Sequence, residues 1–385
     1  MFTIANGLIL KGKNLHPAKE NILVDDGKII EISDEVLEGE IIDAKDCIVL
    51  PSFLNGHTHI GDSIIKDEGY GLTLDEMVKP PNGVKHKALS ESSYDDLIEN
   101  MKSSLWDMYN SGITHFIDYR EGGIEGVKLL KNAAENIPIN PIILGRDDSF
   151  YGQDPDLKEV KKAIRKLLRH CDGIAPSGFG EIRTEVAQLI VDLCNKYDKI
   201  SSIHTAESIQ AQINSLENYG KTEIERAVDC GFNQIVHSTN SLNNDLELIA
   251  NSNVNLVLCP RANATLSVGW PKLDQIIGHN IKPILGSDNL MLNSPSMFRE
   301  LEFIIKSYSL KYEKSISPVD LLKMATTNIC YNPINVKIDK QEISQNNSPH
   351  LLIIKQKSKN PYLSIINRSE TKHIKNIINI GNINN

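Results

Sequence analysis

The sequence predicts an α/β protein: a (β/α)8 TIM barrel with a small β-sandwich formed by the N- and C-terminal segments. Three observations lead there. Between residues 50 and 332, short apolar runs alternate with amphipathic helical patterns, as parallel strands joined by crossover helices do. Counting the first run, there are eight of them, the number that closes such a barrel, and a middle of roughly 280 residues is an ordinary size for one. Both ends break the alternation: residues 1–49 and 333–385 are β-rich and punctuated by turns, and neither end buries an apolar face by itself.

In chain order, Ile22-Leu23-Val24 and Ile29-Ile30 flank an Asp-Gly pair at Asp26-Gly27, a hairpin signal. The apolar run Cys47 to Leu54 reads as the first barrel strand. The others are Thr114–Asp118, Pro141–Leu144, Gly173–Pro176, Ile200–His204, Gln234–His237, Val254–Cys259 and Lys282–Gly286. Helical patterns fall between most of them, as at Thr184–Tyr197 and Ile209–Asn218. Near the C-terminus, His350–Ile354, Tyr362–Ile366 and Ile374–Ile380 read as strands that join the N-terminal ones. Hence residues 1–49 and 333–385 are expected to form one composite unit around a barrel of residues 50–332.

Composition narrows the class. Acidic residues outnumber basic ones, 50 to 41, which argues against nucleic acid as a partner, since neutralising phosphates needs a basic face. The six cysteines are scattered without a C-x-x-C pair, the usage of a reducing compartment. No basic-then-apolar leader opens the chain and no apolar run reaches the ~18 residues of a membrane span. The expectation is a cytoplasmic protein with a small-molecule partner, no nucleic acid and no membrane.

Chemistry-bearing residues recur where the strands stop. His57 and His59 are two apart, so on a strand they project to one side and can hold one metal ion together. His204 and Glu207 follow the fifth strand, His237 ends the sixth, and Asp288 follows the eighth. In a (β/α)8 barrel these ends converge on one face. Four ends that offer only metal-ligand and acid–base types are better explained by one site than by four unrelated structural roles. Glu207 lies three residues beyond His204, so the chain must curl there to bring both inward. Arg120, Glu121, Arg146, Arg261, Asn263 and Asn289 also follow strand ends and are candidates to line the pocket. The long segment from Ile60 to Leu89 carries Lys79, Lys85 and Lys87, cations that could meet an anionic or carbonyl-rich substrate. Gly178-Phe179-Gly180 lacks the third glycine of a dinucleotide fingerprint, and no Gly-x-Ser-x-Gly elbow is present.

The combination H-x-H at His57–His59, H-x-x-E at His204–Glu207, Val236-His237-Ser238 and Gly286-Ser287-Asp288 resembles the amidohydrolase superfamily. It is closest to the mononuclear-metal branch that contains cytosine deaminase, guanine deaminase and the chlorohydrolases. Pro51-Ser52-Phe53-Leu54-Asn55-Gly56-His57-Thr58-His59 is similar to that family's P-G-x-x-x-x-H-x-H, with Ser52 where Gly is usual. Cys259-Pro260-Arg261-Ala262-Asn263 is similar to C-P-x-S-N, with Ala262 for Ser, and Ala325-Thr326-Thr327-Asn328 to a late A-T-x-N. No lysine stands in Ile174-Ala175-Pro176-Ser177-Gly178, where binuclear members carry a bridging one, so one metal is expected.

The resemblance implies that His57, His59, His204 and Asp288 bind one divalent ion, with zinc as the first choice and iron as the alternative, and that Asp288 takes the proton of the attacking water. It implies that Glu207 shuttles a proton to a ring nitrogen and onward to the leaving amine, and that His237 holds the attacking or developing oxygen. The implied reaction is hydrolytic deamination of a pyrimidine, purine or pterin-like heterocycle, with a homodimer as the expected assembly. Cleavage of a cyclic amide, or of another carbon–nitrogen or carbon–halogen bond, on the same site is the alternative. A non-catalytic scaffold is the reading from another class, and such a protein is expected to have lost ligands.

Overall fold

Eight parallel strands close on themselves around the middle of the chain. In this computed structural model, which describes residues 1–78, 82–242, 244–331 and 341–379, they begin with β1 (Phe53–His59), β2 (Ile113–Arg120), β3 (Asn140–Gly145) and β4 (Gly173–Ile174). There follow β5 (Ile200–Thr205), β6 (Gln234–His237), β7 (Asn255–Leu258) and β8, which is in two pieces, Ile284–Leu285 and Asp288–Asn289. The first piece of β8 pairs with β7 and the second returns to β1, with Asp288 opposite Thr58 and Asn289 opposite His59. The result is a barrel of the TIM type. Alternation builds its two layers. Leu54, Ile117, Ile142, Val236, Val257 and Ile284 fill one buried cluster, while their neighbours Phe53, Phe116, Ile143, Ile235, Leu256 and Leu285 belong to the larger cluster shared with the helices.

The seam between β1 and β8 is held by a pair of buried hydrogen bonds. The Asn55 amide donates to Ser287 Oγ (2.8 Å), and the Ser287 N–H donates to Asn55 Oδ1 (2.9 Å). Glycine permits the close approach on both sides: a Cβ on Gly56 would lie 2.7 Å from Ile284 Cγ2, and one on Gly286 would lie 2.7 Å from His57 Cβ.

The chain ends build two further sheets. One orders the strands Lys28–Ser33, Asn21–Asp25, Phe2–Ala5 and Glu40–Asp43; the other orders Ile374–Asn379, His350–Lys355, Cys47–Pro51, Leu8–Lys11 and His16–Ala18. Ile4, Ile22 and Val24 of the first share an apolar cluster with Ile9, Val49, Leu351 and Ile353 of the second. The expected hairpin is present, with Asp25 opposite Lys28. Asp26 and Gly27 both take positive φ (43° and 67°), the two-residue turn whose twist matches the strands.

Two expectations change. The run Cys47–Leu54 is not one strand. Cys47–Pro51 pairs with His350–Lys355 and Leu8–Lys11, the chain then turns at Ser52, and β1 starts at Phe53. The expected boundary at residue 49 therefore falls inside a strand. Both stretches are buried throughout, so apolarity alone carries no mark of the change of sheet. Second, Tyr362–Ile366 is helical, within Pro361–Arg368. Asn360 caps it, Oδ1 accepting from the Leu363 N–H (3.0 Å), and Pro361 stands at its first position. This capping pair outweighs the β-branched character of Ile365 and Ile366. The expected strand Ile374–Ile380 is Ile374–Asn379, and its last residue lies outside the described residues, as do 333–340.

Two measurements follow. Asn55→Ala strands the Ser287 N–H and hydroxyl in the seam and should lower stability by about 1–3 kcal/mol in chemical denaturation. Glu223, whose carboxylate accepts the Ala206 N–H (2.8 Å), is pushed up to about 7 by burial, from an ordinary 4.5. A carboxyl raised in the folded state takes up a proton on folding, so its stabilising contribution is full below pH 4.5 and is lost as pH rises through about 7. Glu223→Gln, which keeps an acceptor for that N–H, should flatten this decline when unfolding free energies at pH 5 and pH 8 are compared.

Candidate active site

At the C-terminal mouth of the barrel the predicted side chains meet. His57 Nε2 lies 3.1 Å from Asp288 Oδ1 and 3.3 Å from His204 Nε2, and His59 Nε2 lies 3.4 Å from His204 Nε2. His57 is wholly buried, and His59 and Asp288 nearly so. Backbone carbonyls fix two of the tautomers. A carbonyl can only accept, so His59 Nδ1–H donates to the Tyr119 carbonyl (3.2 Å) and His204 Nδ1–H to that of Ser177 (2.8 Å). Burial holds all three rings neutral: His59 is pushed down to about 3, and His57 and His204 fall well below the ordinary histidine value.

Two bare ring nitrogens thus face each other at 3.4 Å with no proton to share, beside a carboxylate whose Oδ2 is buried without a hydrogen-bond partner among the described residues. Lone pairs so placed repel unless a cation stands between them. The two groups His57–His59–His204 and His57–His237–Asp288 each bring their ligand atoms within 4.8 Å of one another. Such nitrogen and carboxylate donors could hold a first-row divalent ion.

The carboxylate Glu207 reaches the same space because the strand curls. Ala206 adopts φ 51°, which turns the chain after Thr205 and brings Glu207 to the cavity. Its Oε2 lies 3.7 Å from His237 Nε2, which is 4.0 Å from Asp288 Oδ2, and burial raises the Glu207 carboxyl above its ordinary value. The far nitrogen of His237, Nδ1, is 3.1 Å from Asn263 Oδ1. His237 (φ 77°), Ser238 (φ 48°) and Asp288 (φ 62°) also have left-handed backbone. Strain of this kind in non-glycine residues gathers at functional sites.

A cavity of about 510 Å3 opens from the histidines and is lined by Arg146, Asn289, Glu207, His237, Asp288 and Lys85, among others. Of the other sequence candidates, four stand behind its wall: Asn263, Arg261, Arg120 and Glu121. Asn263 orients His237 and donates to Thr239 Oγ1 (2.8 Å). Arg261 turns away to Glu300 (3.1 Å), Asn293 and the Ser294 carbonyl. Arg120 packs beneath Gly61 and binds Glu121 Oε2 (2.6 Å). The segment after β1 is structured: a 3-10 turn Ile60–Ile65, then helices Leu74–Val78 and Val84–Glu91. The three lysines of residues 79–87 separate: Lys79 lies outside the described residues, Lys87 is exposed, and Lys85 is only 2 % exposed.

Sequence reasoning missed how much Glu121 does. Its Oε1 meets Lys85 (2.6 Å), Arg146 (2.8 Å) and His59 Nδ1 (3.4 Å). Burial opposes its charge, yet Lys85, Arg146 and Arg120 hold its carboxyl well below the usual range. A lone acidic residue after a strand has no pattern that distinguishes it. The carbonyls of Tyr119 and Ser177, which set the tautomers, leave no mark in sequence at all.

The chain is similar to several known proteins. The model of the amidohydrolase family matches residues 48–378. A relative from Methanothermobacter thermautotrophicus, whose name carries the word aminohydrolase, is 44 % identical over 376 residues, 97 % of this chain and 96 % of its own. A 5-methylthioadenosine/S-adenosylhomocysteine deaminase from Thermoanaerobacter pseudethanolicus is 24 % identical over 84 % of this chain and 78 % of its own. Among solved structures, atrazine chlorohydrolase from Arthrobacter aurescens complexed with zinc superposes with a TM-score of 0.85 at 15 % identity, over 98 % of this chain and 94 % of that one. Guanine deaminase from C. acetobutylicum with bound guanine does so with a TM-score of 0.81 at 18 % identity, covering 98 % of both chains. With its barrel, its clustered histidines and a family match across most of its length, the chain belongs to the amidohydrolase family, hydrolytic enzymes that act on carbon–nitrogen bonds other than peptide bonds.

Proposed function

We propose that the protein hydrolytically deaminates an aminated heterocycle, using one zinc ion held by His57, His59, His204 and Asp288. The observation that carries this reading is the pair of unprotonated imidazole nitrogens, on His59 and His204, turned towards each other next to the Asp288 carboxylate. When bound, the ion supplies the Lewis acidity that makes water nucleophilic near neutral pH. This chain's residues do the rest. Asp288 accepts a proton from the attacking water. Glu207, raised by burial and so a ready proton carrier, delivers a proton to the ring nitrogen next to the amino-bearing carbon. The proton held by Asp288 and the one the added hydroxyl sheds as it becomes a carbonyl are then spent, one restoring Glu207 and the other passing through it to the departing amine, so one water is consumed and one ammonia released. His237, steadied by Asn263, faces Glu207 and Asp288 and holds the oxygen being added.

The cavity supports a substrate larger than a single ring, because it extends from the histidines to Asn214, Asn218 and Tyr219. An adenosine-like heterocycle fits the names of several relatives. Arg146 and Asn289, which line that cavity, are read as substrate contacts. The two terminal sheets, which share one apolar cluster, are read as a small sandwich bracing the barrel's entry and exit. Six free cysteines, five of them buried, fit a reducing cytoplasm, and among the described residues no helix is long and apolar enough to cross a membrane.

Two experiments test the reading. Purified protein should carry about one equivalent of zinc, and ammonia release from a panel of aminated heterocycles should stop on chelation and return with zinc. His204→Ala should lose the metal, and activity surviving in metal-free protein would refute the site. Glu207→Gln should retain zinc yet slow turnover by about 10²–10⁴-fold, and a smaller loss would remove Glu207 as the proton carrier.

A further inference from the structure

Lys85 is buried among charges that the proposed reaction does not use. Its ammonium and the Arg146 guanidinium converge on the same oxygen, Glu121 Oε1, at 2.6 and 2.8 Å, and Arg120 occupies the other oxygen at 2.6 Å. One carboxylate therefore serves three cations. The next acid, Asp62, is 3.7 Å from Lys85 Nζ and already accepts from Asn289 Nδ2 (2.7 Å) and the Met291 N–H (3.0 Å). An ammonium offers three donors and a guanidinium five. Beyond Glu121, Arg146 is bonded to Ser177 Oγ (2.8 Å), which leaves donors on both cations, and both line the cavity.

We propose that Lys85 and Arg146 form a binding site for an oxyanion carried by the substrate, a carboxylate or a phosphate, beside the histidine cluster. The substrate part of this rests on the heterocycle reading above; the anion site itself stands on the geometry. Taking an ammonium out of water is costly and is compensated only by good partners. In a secluded cavity the same charge attracts an anion more strongly than it would in water. The placement suits a substituent: Glu121 Oε1, on which both cations converge, is 3.4 Å from His59 Nδ1, and Lys85, Arg146, His59 and His204 line the same cavity. The same cavity is lined by Glu207 and Glu223 and by a third cation, Arg226. In the proposed reaction a molecule with an acidic arm lies with that arm on Lys85 and its amino-bearing carbon at Glu207. Tyr151 and Glu181 also act on Arg146, so the test centres on Lys85.

The test is isothermal titration of full-length, zinc-loaded protein with inorganic phosphate and with acetate at matched ionic strength. Wild type should bind at least one of them saturably. Lys85→Met and Lys85→Gln, with zinc content unchanged, should weaken that binding about ten-fold or more, the worth of one hydrogen bond to a charged group. Lys87→Met, at an exposed site, should leave it as it was. Tighter phosphate identifies a phosphorylated substrate, and tighter acetate a carboxylated one. Absence of binding, or binding by both Lys85 variants within two-fold of wild type, would overturn the site, since the anion then rests on zinc or elsewhere. No turnover is needed: Lys85-dependent anion binding without ammonia release would defeat the deaminase reading and leave this one standing.

Discussion

Closure of the barrel between its first and last strands is the constraint on which the rest depends. It places His57 and Asp288, 231 positions apart in the chain, at 3.1 Å. The Asn55–Ser287 pair locks that register, and Gly56 and Gly286 let the two strands approach. Below the mouth Leu54, Val257 and Ile284 fill the barrel interior, and at the mouth the seam becomes the site. The link is a break in the pleat: Leu54 points into the inner apolar cluster and Phe53 out of it, so strict alternation would send His57 and His59 outward, but the register against β2 shifts between Asn55 and Thr58 and both rings reach the mouth.

The strand ends depart from ideal geometry where they supply function. Ala206, His237, Ser238 and Asp288 hold left-handed backbone although none is glycine. Each such residue costs on the order of 1–3 kcal/mol and persists only where its surroundings over-determine it. Those surroundings are visible. Glu223 accepts the Ala206 N–H, Asn263 holds His237, and Asp288 is paired with β1. The strain turns Glu207 inward where a regular strand would have pointed it away.

The cavity is lined by charges of both signs, and two of its cations, Lys85 and Arg146, are gathered on Glu121, which also touches His59. Lys85 reaches that cluster from the helix Val84–Glu91, part of the long segment after β1. The apolar contacts of Ile65, Met77, Leu266 and Met291 hold this segment on the mouth of the barrel. The covering segment is thus in contact, through one carboxylate, with a ring of the histidine cluster.

By itself the sequence determined the barrel, because eight apolar runs separated by helical patterns admit few other closures, and it determined His57, His59, His204, Glu207, His237 and Asp288 as one group, because ligand-type residues recurred at strand ends. It also determined the hairpin at Asp26-Gly27, where two positive φ angles require that chemistry. Only the tertiary structure decided which candidates face the cavity. Arg146 and Arg261 both follow strands, yet one meets Glu121 and the other Glu300, and that choice depends on partners distant in the chain. It likewise singled out Lys85 from its run of lysines, split Cys47–Leu54 between two sheets, and supplied the carbonyls that set the histidine tautomers. Periodicity reports whether a face is buried, but it carries nothing about what lies across from it.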